Sequence, residues 1–436
     1  MNKITVIGGG LAGCEAAFQI AKRGVKVELL EMKPSRKTPA HKSDNLAELV
    51  CSNSLKAMRI DSAAGLLKEE MRRFGSVCLD AADRSSVAAG GALAVDRDVF
   101  SSLITERIKS HPNITVRETT VTDIPTDGIT VIATGPLTDG ALAEKIGKLC
   151  DSGNLSFFDA AAPIVTAESV DMSKAFCASR YDKGGDDYIN CPMNKEEYTA
   201  FYNELINAES APVHGFDKAP KVYEGCMPIE VLAKRGEDSI RFGPLKPVGL
   251  RDPRTGHRPW AAVQLRRENS SGTLYNLVGF QTNLRFPEQK RVFSMIPGLQ
   301  NAEFMRYGVM HRNTFINSPV LLNRELSLKT NGDIFFAGQL SGVEGYMESA
   351  ASGIIAGINA AARLNGEKPL VLPEFTMIGA LLSYICDGSV KDFQPMGANF
   401  GILPTLEPHI RDKRERYAAL SKRSLDWFCD NIKTEE

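Results

Sequence analysis

The sequence predicts an α/β protein: a Rossmann-like dinucleotide-binding domain, discontinuous along the chain, with an α+β domain inserted in it. Three stretches carry that reading. Residues 3–32, "KITVIGGGLAGCEAAFQIAKRGVKVELLEM", read as strand, glycine-rich turn, helix and strand. Residues 127–136, "DGITVIATGP", form a second buried strand signal that ends on a glycine. Residues 331–366, from "NGDIFFAGQ" to "AAARLNG", give a strand, another glycine-rich turn and a long helix of small residues. The middle of the chain differs, with more aromatics, more prolines and short alternating apolar runs. The expected division is 1–155 for the first part of the nucleotide domain, 156–300 for the insertion and 301–436 for the second part.

Each element has a local reason. Ile4 to Ile7 form an apolar, β-branched run typical of a strand covered on both faces. A helix follows from Leu11 to about Arg23, where Gly24 stops it as a C-terminal cap, and Val25 to Leu30 form the next strand. Residues 411–433, "RDKRERYAALSKRSLDWFCDNIK", read as an amphipathic helix with a solvated charged face.

Bulk composition excludes several classes. The 436 residues are 43% hydrophobic and 24% charged, which is ordinary for a globular protein. No apolar run approaches the ~20 residues needed to cross a bilayer. The chain enters its first strand almost at once, so no signal peptide and no membrane association are expected. Nine cysteines without zinc-type pairs fit a reducing cytoplasm. A net charge of −1 neither favours nor excludes nucleic acid, and no stable protein partner is indicated.

The turn after the first strand is Gly8-Gly9-Gly10-Leu11-Ala12-Gly13, a GxGxxG pattern. Gly8 permits the tight turn, Gly10 lets the backbone approach a pyrophosphate, and Gly13 lets helix and strand pack closely. The helix start offers amides to phosphate, and Glu31 at the end of the next strand can accept ribose hydroxyls. "GDIFFAGQ", with Gly338 and Gln339, resembles the second FAD signature of two-dinucleotide-binding-domain flavoproteins. "VIATG" resembles their intermediate signature. The expected cofactor is therefore FAD.

"GQLSGVEGYMESAASGIIAGINAA" resembles the GidA-related flavoproteins that modify tRNA uridines. "LAELVCSNSLK", "AAGGALAVDRDVF" and "YEGCMPIEVLAKRG" are similar to the shorter, folate-dependent TrmFO branch of that family, over essentially the whole chain. GidA itself is longer and carries a C-terminal helical domain. Many related flavoproteins carry Asp where Gln339 stands, whereas this branch uses Gln. The resemblance implies C5 methylation of uridine 54 in the tRNA T-loop, with methylenetetrahydrofolate as carbon donor, FAD as carrier and NAD(P)H as reductant. A GidA-like uridine-modifying enzyme and an FAD-stabilised tRNA-binding module are the alternatives.

Such chemistry needs one reactive thiolate and one base, since uracil C5 becomes nucleophilic only after addition at C6. Cys51 lies in the polar "VCSNSLK". Ser52 or Asn53 could cap a short helix there, and a helix N-terminus lowers a thiol pKa. Cys226 precedes Met227 and Pro228, which suits a first helical position. Cys191, in "INCPM", has a similar context. The resemblance selects the pair, with Cys226 as nucleophile and Cys51 as base or flavin-side partner. Cys14, Cys78, Cys150, Cys177, Cys386 and Cys429 read as inert and buried. Tyr346 is expected near the flavin ring, while Glu344 and Glu348 read as solvated acids. For tRNA, residues 234–291 hold twelve Lys/Arg against five Asp/Glu, with Arg251, Arg254, His257, Arg258 and Trp260 in one run. Lys413, Arg414 and Arg416 are a second candidate patch.

Overall fold

The computed structural model describes residues 3–38, 40–150, 155–160, 162–182, 185–211, 227–269, 271–390, 393–408 and 410–432. Two sheets organise it. The first has the order Ser327–Leu328, Asn331–Phe336, Thr130–Ile132, Lys3–Ile7, Lys26–Glu31, Ile114–Glu118, and is parallel except at the Ser327–Leu328 edge. Its three central strands are the three apolar runs that the sequence singled out. They come from residues 3 to 336, so the sheet closes only through long-range pairing: Thr5 pairs with Thr130, and Ile334 with that same Thr130.

The second sheet is antiparallel, in the order Phe176–Cys177, Tyr188–Met193, Ala261–Arg267, Leu274–Leu277, Ile164–Thr166, Phe304–Arg306. It carries its own core, which includes Tyr198, Phe201, Phe280 and Phe293, all without solvent exposure. A two-stranded antiparallel ribbon, Leu155–Ala160 against Met310–Phe315, runs between the two regions. The chain thus leaves the first region along one strand of the ribbon and returns along the other.

The helix Leu11–Lys22 ends as expected, with Gly24 in the left-handed region at φ +77°. Its partner is the helix Tyr346–Asn365. A β-carbon on Gly353 would lie 2.2 Å from the Ala12 carbonyl oxygen, and one on Gly357 2.6 Å from that of Ala16. The run of small residues is therefore a packing device: it lets two helix backbones touch over the sheet. Two buried carboxylates brace the same core. Glu15 accepts the Val77 and Cys78 amides at 3.4 and 3.0 Å, and Glu70 accepts those of Met377 and Ile378 at 2.6 and 2.8 Å. Each caps a helix that begins far away in sequence, which local reading cannot see. The charged helix Lys413–Asn431 buries Leu420, Ser424 and Phe428 and leaves its charges outward.

Candidate active site

The strands Lys3–Ile7, Thr130–Ile132 and Asn331–Phe336 run parallel side by side, so the turns that follow them meet at one crevice. The resulting cleft is open to solvent and has a cavity volume of about 180 Å³. Gly8, Gly9, Gly10, Leu11, Ala12, Glu31, Gly338, Gln339 and Tyr346 all line it, together with Gly135. Gly13 does not line it, and the reason is geometric: a β-carbon there would sit 1.8 Å from the Gly8 carbonyl oxygen. Gly13 serves helix–turn packing, while Gly10 has open space where its side chain would be. Gly8, at φ +100°, is held against the Ala133 carbonyl.

The Leu11–Lys22 helix begins at Gly10 with no side-chain cap, so its N-terminus can receive a phosphate. Glu31 is buried, and its two oxygens accept the Gly9 amide at 2.6 Å and the Lys33 amide at 2.9 Å. Each oxygen retains acceptor capacity for a ribose hydroxyl. Open backbone at Gly10 and a carboxylate at the next strand end are the donor and acceptor set an FAD needs.

The Cys51 loop departs from expectation. No helix starts after it: Ser54–Ala57 is a strand, and the next helix begins at Ala63 under the Ser62 cap. The helix N-terminus proposed to activate Cys51 is absent, and arginines take its place. Arg97 donates to the Leu49 oxygen at 2.9 Å and the Cys51 oxygen at 3.3 Å, and Arg306 donates to the Val50 oxygen. Arg266 donates to Ser52 Oγ at 2.9 Å and to Asn53 Oδ1 at 3.0 Å. The Tyr346 hydroxyl accepts the amides of both Cys51 and Ser52, at 2.8 and 3.1 Å. Tyr346 therefore joins the nucleotide cleft to the cysteine loop.

Glu268 is buried and ion-paired with Arg97. Burial pushes its carboxyl pKa up, opposed by Arg97, Arg266 and Arg306. Burial lowers the Arg266 and Arg306 pKa values, and the charge of Cys51 acts on both guanidiniums in the opposite sense. Three guanidiniums against one carboxylate leave an excess of positive charge around a half-buried thiol.

Cys226 lies outside the described residues, although both flanks of its segment are placed. The Ala211 amide donates to Asn283 at 2.7 Å and the Ile229 amide to Gln281 at 2.7 Å, so the segment leaves and rejoins the same stretch. Pro228 is the N-cap of the short helix Ile229–Ala233 rather than its first residue. Cys191 is fully buried in a central strand, where burial pushes its thiol up to about 12. Cys14, Cys78 and Cys150 are buried as expected, Cys386 partly so, but Cys177 and Cys429 are exposed.

Glu344 and Glu348 are buried, not solvated. Gln339 Nε2 donates to both Glu344 oxygens at 3.1 and 3.0 Å, and Glu348 pairs with Lys56 at 2.7 Å. Within the basic segment, Arg266 faces the cysteine loop and Arg254 is paired with Asp252 at 2.7 Å; Arg251 and Arg258 are exposed. Among the described residues no helix is long and apolar enough to cross a membrane, and no cluster of metal ligands occurs.

The sequence model of the family described as "Glucose inhibited division protein A" matches residues 3–368. A "Methylenetetrahydrofolate--tRNA-(uracil-5-)-methyltransferase TrmFO" of Acetivibrio thermocellus is 60% identical over 98% of this chain and 97% of its own. The enzyme of the same name from Enterococcus faecalis is 57% identical over the same shares. The chain belongs to the GidA family, in its TrmFO branch. The crystal structure of Aquifex aeolicus GidA shares the fold, with a TM-score of 0.69 at 17% identity, covering 98% of this chain and 73% of that one. For this TrmFO-branch chain, Arg97, Arg266, Glu268 and Arg306 are the site residues that motif reading missed. The signals for them were indirect: "AAGGALAVDRDVF" contains Arg97, and the basic segment 234–291 contains Arg266 and Glu268, there read as a tRNA surface.

Proposed function

We propose that the chain methylates C5 of uridine 54 in the tRNA T-loop, taking carbon from methylenetetrahydrofolate and electrons from NAD(P)H. The observation that carries this reading is Cys51, half-buried among Arg97, Arg266 and Arg306 and tied through Tyr346 to a dinucleotide cleft. FAD, when bound, supplies the two-electron reduction that takes the donated carbon from the methylene to the methyl level.

The chain's own groups do the rest. A thiolate, assigned to Cys226, adds to C6 of uracil and makes C5 an enolate carbon able to attack an electrophile. After the new C–C bond forms, a base takes the C5 proton and the thiolate leaves C6, restoring the ring. Cys51 is assigned as that base or as the partner on the flavin side. Its arginine surroundings favour the thiolate that either role requires. The exposed Arg251 and Arg258 supply phosphate contacts for the T-arm.

Incubation with labelled methylenetetrahydrofolate, NAD(P)H and a T-arm RNA should place label in 5-methyluridine. A flavin-loaded protein that binds the RNA and transfers no label would overturn the assignment. With 5-fluorouridine at the target, the trapped adduct should map to Cys226; mapping to Cys51 would exchange the two roles.

A further inference from the structure

Four side chains on the second region form a cluster. The Arg241 guanidinium lies 3.8 Å from the ring centre of Trp260 and 4.9 Å from that of Phe242. Lys195 adds a second cation 5.4 Å from the Trp260 ring. Arg241 also donates to the Trp260 carbonyl at 3.1 Å and pairs with Asp238 at 3.3 Å, so its position is set from several sides. Phe242, in the same cluster, is 65% exposed.

An isolated exposed phenylalanine would need no explanation. This one has a cation beside its ring and belongs to a turn that also exposes Lys246 and Val248. Tyr181, 56% exposed, packs against the same turn at Gly249, where its amide donates to the Gly249 oxygen at 2.9 Å. Arg251 and Arg258 are exposed on the loop that follows. Aromatic faces set among cations are the chemistry that recognises unpaired nucleotides: the ring takes a base face and the cations take its phosphates.

We infer that Phe242, clustered with Arg241 and Trp260, is a stacking platform for an unpaired base of the RNA substrate. It rests on the reading of RNA as substrate and adds the base-stacking contact. The platform sits at the start of the strand Ala261–Arg267, and Arg266 at the other end holds the Cys51 loop. Seven residues of strand span roughly 20 Å. The base on Phe242 is therefore a different one from the base presented to Cys51, and the two contacts together fix the RNA at two points.

The test titrates a T-arm hairpin RNA onto the flavin-loaded protein between low and moderate salt. Phe242→Ala should weaken binding about tenfold at every salt concentration, with the slope of log K against log salt unchanged, because stacking releases no counterions. Phe242→Tyr should restore the wild-type value. Arg258→Ala should instead flatten the slope. Wild-type affinity for Phe242→Ala would overturn the platform while leaving the substrate reading intact, whereas a wild-type protein that binds no RNA would overturn both. A Phe242→Ala variant that flattens the salt slope would make the site a phosphate contact. One that converts a wild-type dimer to a monomer would make it a contact between copies; either result overturns the inference.

Discussion

The nucleotide cleft and the cysteine site share Tyr346, yet they are built on opposite plans. The cleft is built around glycine turns at the ends of three parallel strands, with Glu31 from the neighbouring strand and side chains such as Lys33, Arg36, His41, Glu48 and Asp139 completing its lining. The cysteine site is held by long side chains from three separate parts of the chain: Arg97, Arg306, and the neighbouring Arg266 and Glu268 at the end of one strand. A wall of glycine turns tolerates little change in volume but needs few partners. A side-chain cage depends on the balance of charge among all its partners.

The largest effect is expected at Gly13. A Gly13→Val side chain must displace the Gly8 carbonyl, now 1.8 Å from its β-carbon position. Destabilisation of about 4 kcal/mol or more should follow, read by urea unfolding. A stable Gly13→Val protein would show the wall to be softer than its geometry implies.

Next comes the cage. Glu268→Gln leaves three guanidiniums around the cysteine loop without their carboxylate, which should cost about 3 kcal/mol. The same change should speed alkylation of Cys51 near neutral pH, since the remaining charge favours thiolate. Slower alkylation would mean that Glu268 orients the arginines more than it offsets them.

Tyr346→Phe removes one oxygen that accepts two amides, at 2.8 and 3.1 Å. A loss of about 1–2 kcal/mol is expected. If the tyrosine truly joins the two sites, adding FAD should then protect Cys51 from alkylation less than it does in the parent protein. Equal protection would separate the cleft from the cage.

The smallest change in stability is expected at Gly10. Its φ of −74° suits any residue, and nothing lies within 4 Å of its β-carbon position. Gly10→Val should shift apo-protein stability by less than about 1 kcal/mol and still abolish FAD binding, read by absorbance of the purified protein. Retained flavin would displace the pyrophosphate from this turn.

Gly10 and Gly13 also show how far motif reading reaches. Both belong to one fingerprint, and the fingerprint's separate roles for them agree with the space around each. The cysteine loop went the other way. "VCSNS" has capping residues, but Ser52 Oγ and Asn53 Oδ1 both accept from Arg266, Asn53 Nδ2 donates to the Val95 and Arg267 carbonyls, and Ser54–Ala57 pairs with Ala92–Val95 as a strand. Glu344 and Glu348 look like surface acids from their neighbours, yet the fold buries both.

The sequence by itself determined the strand–turn–helix unit at residues 3–31, the glycines at 8, 10 and 13, and the small-residue helix. Those features depend on backbone conformation and on spacing within a few turns, which adjacent residues set. Only the tertiary structure decided that Arg97, Arg266, Glu268 and Arg306 surround Cys51, and that Glu15 and Glu70 cap distant helices. A long charged side chain has the same local preferences at a surface as in a cage. Whether it is solvated or paired depends on which elements pack against it.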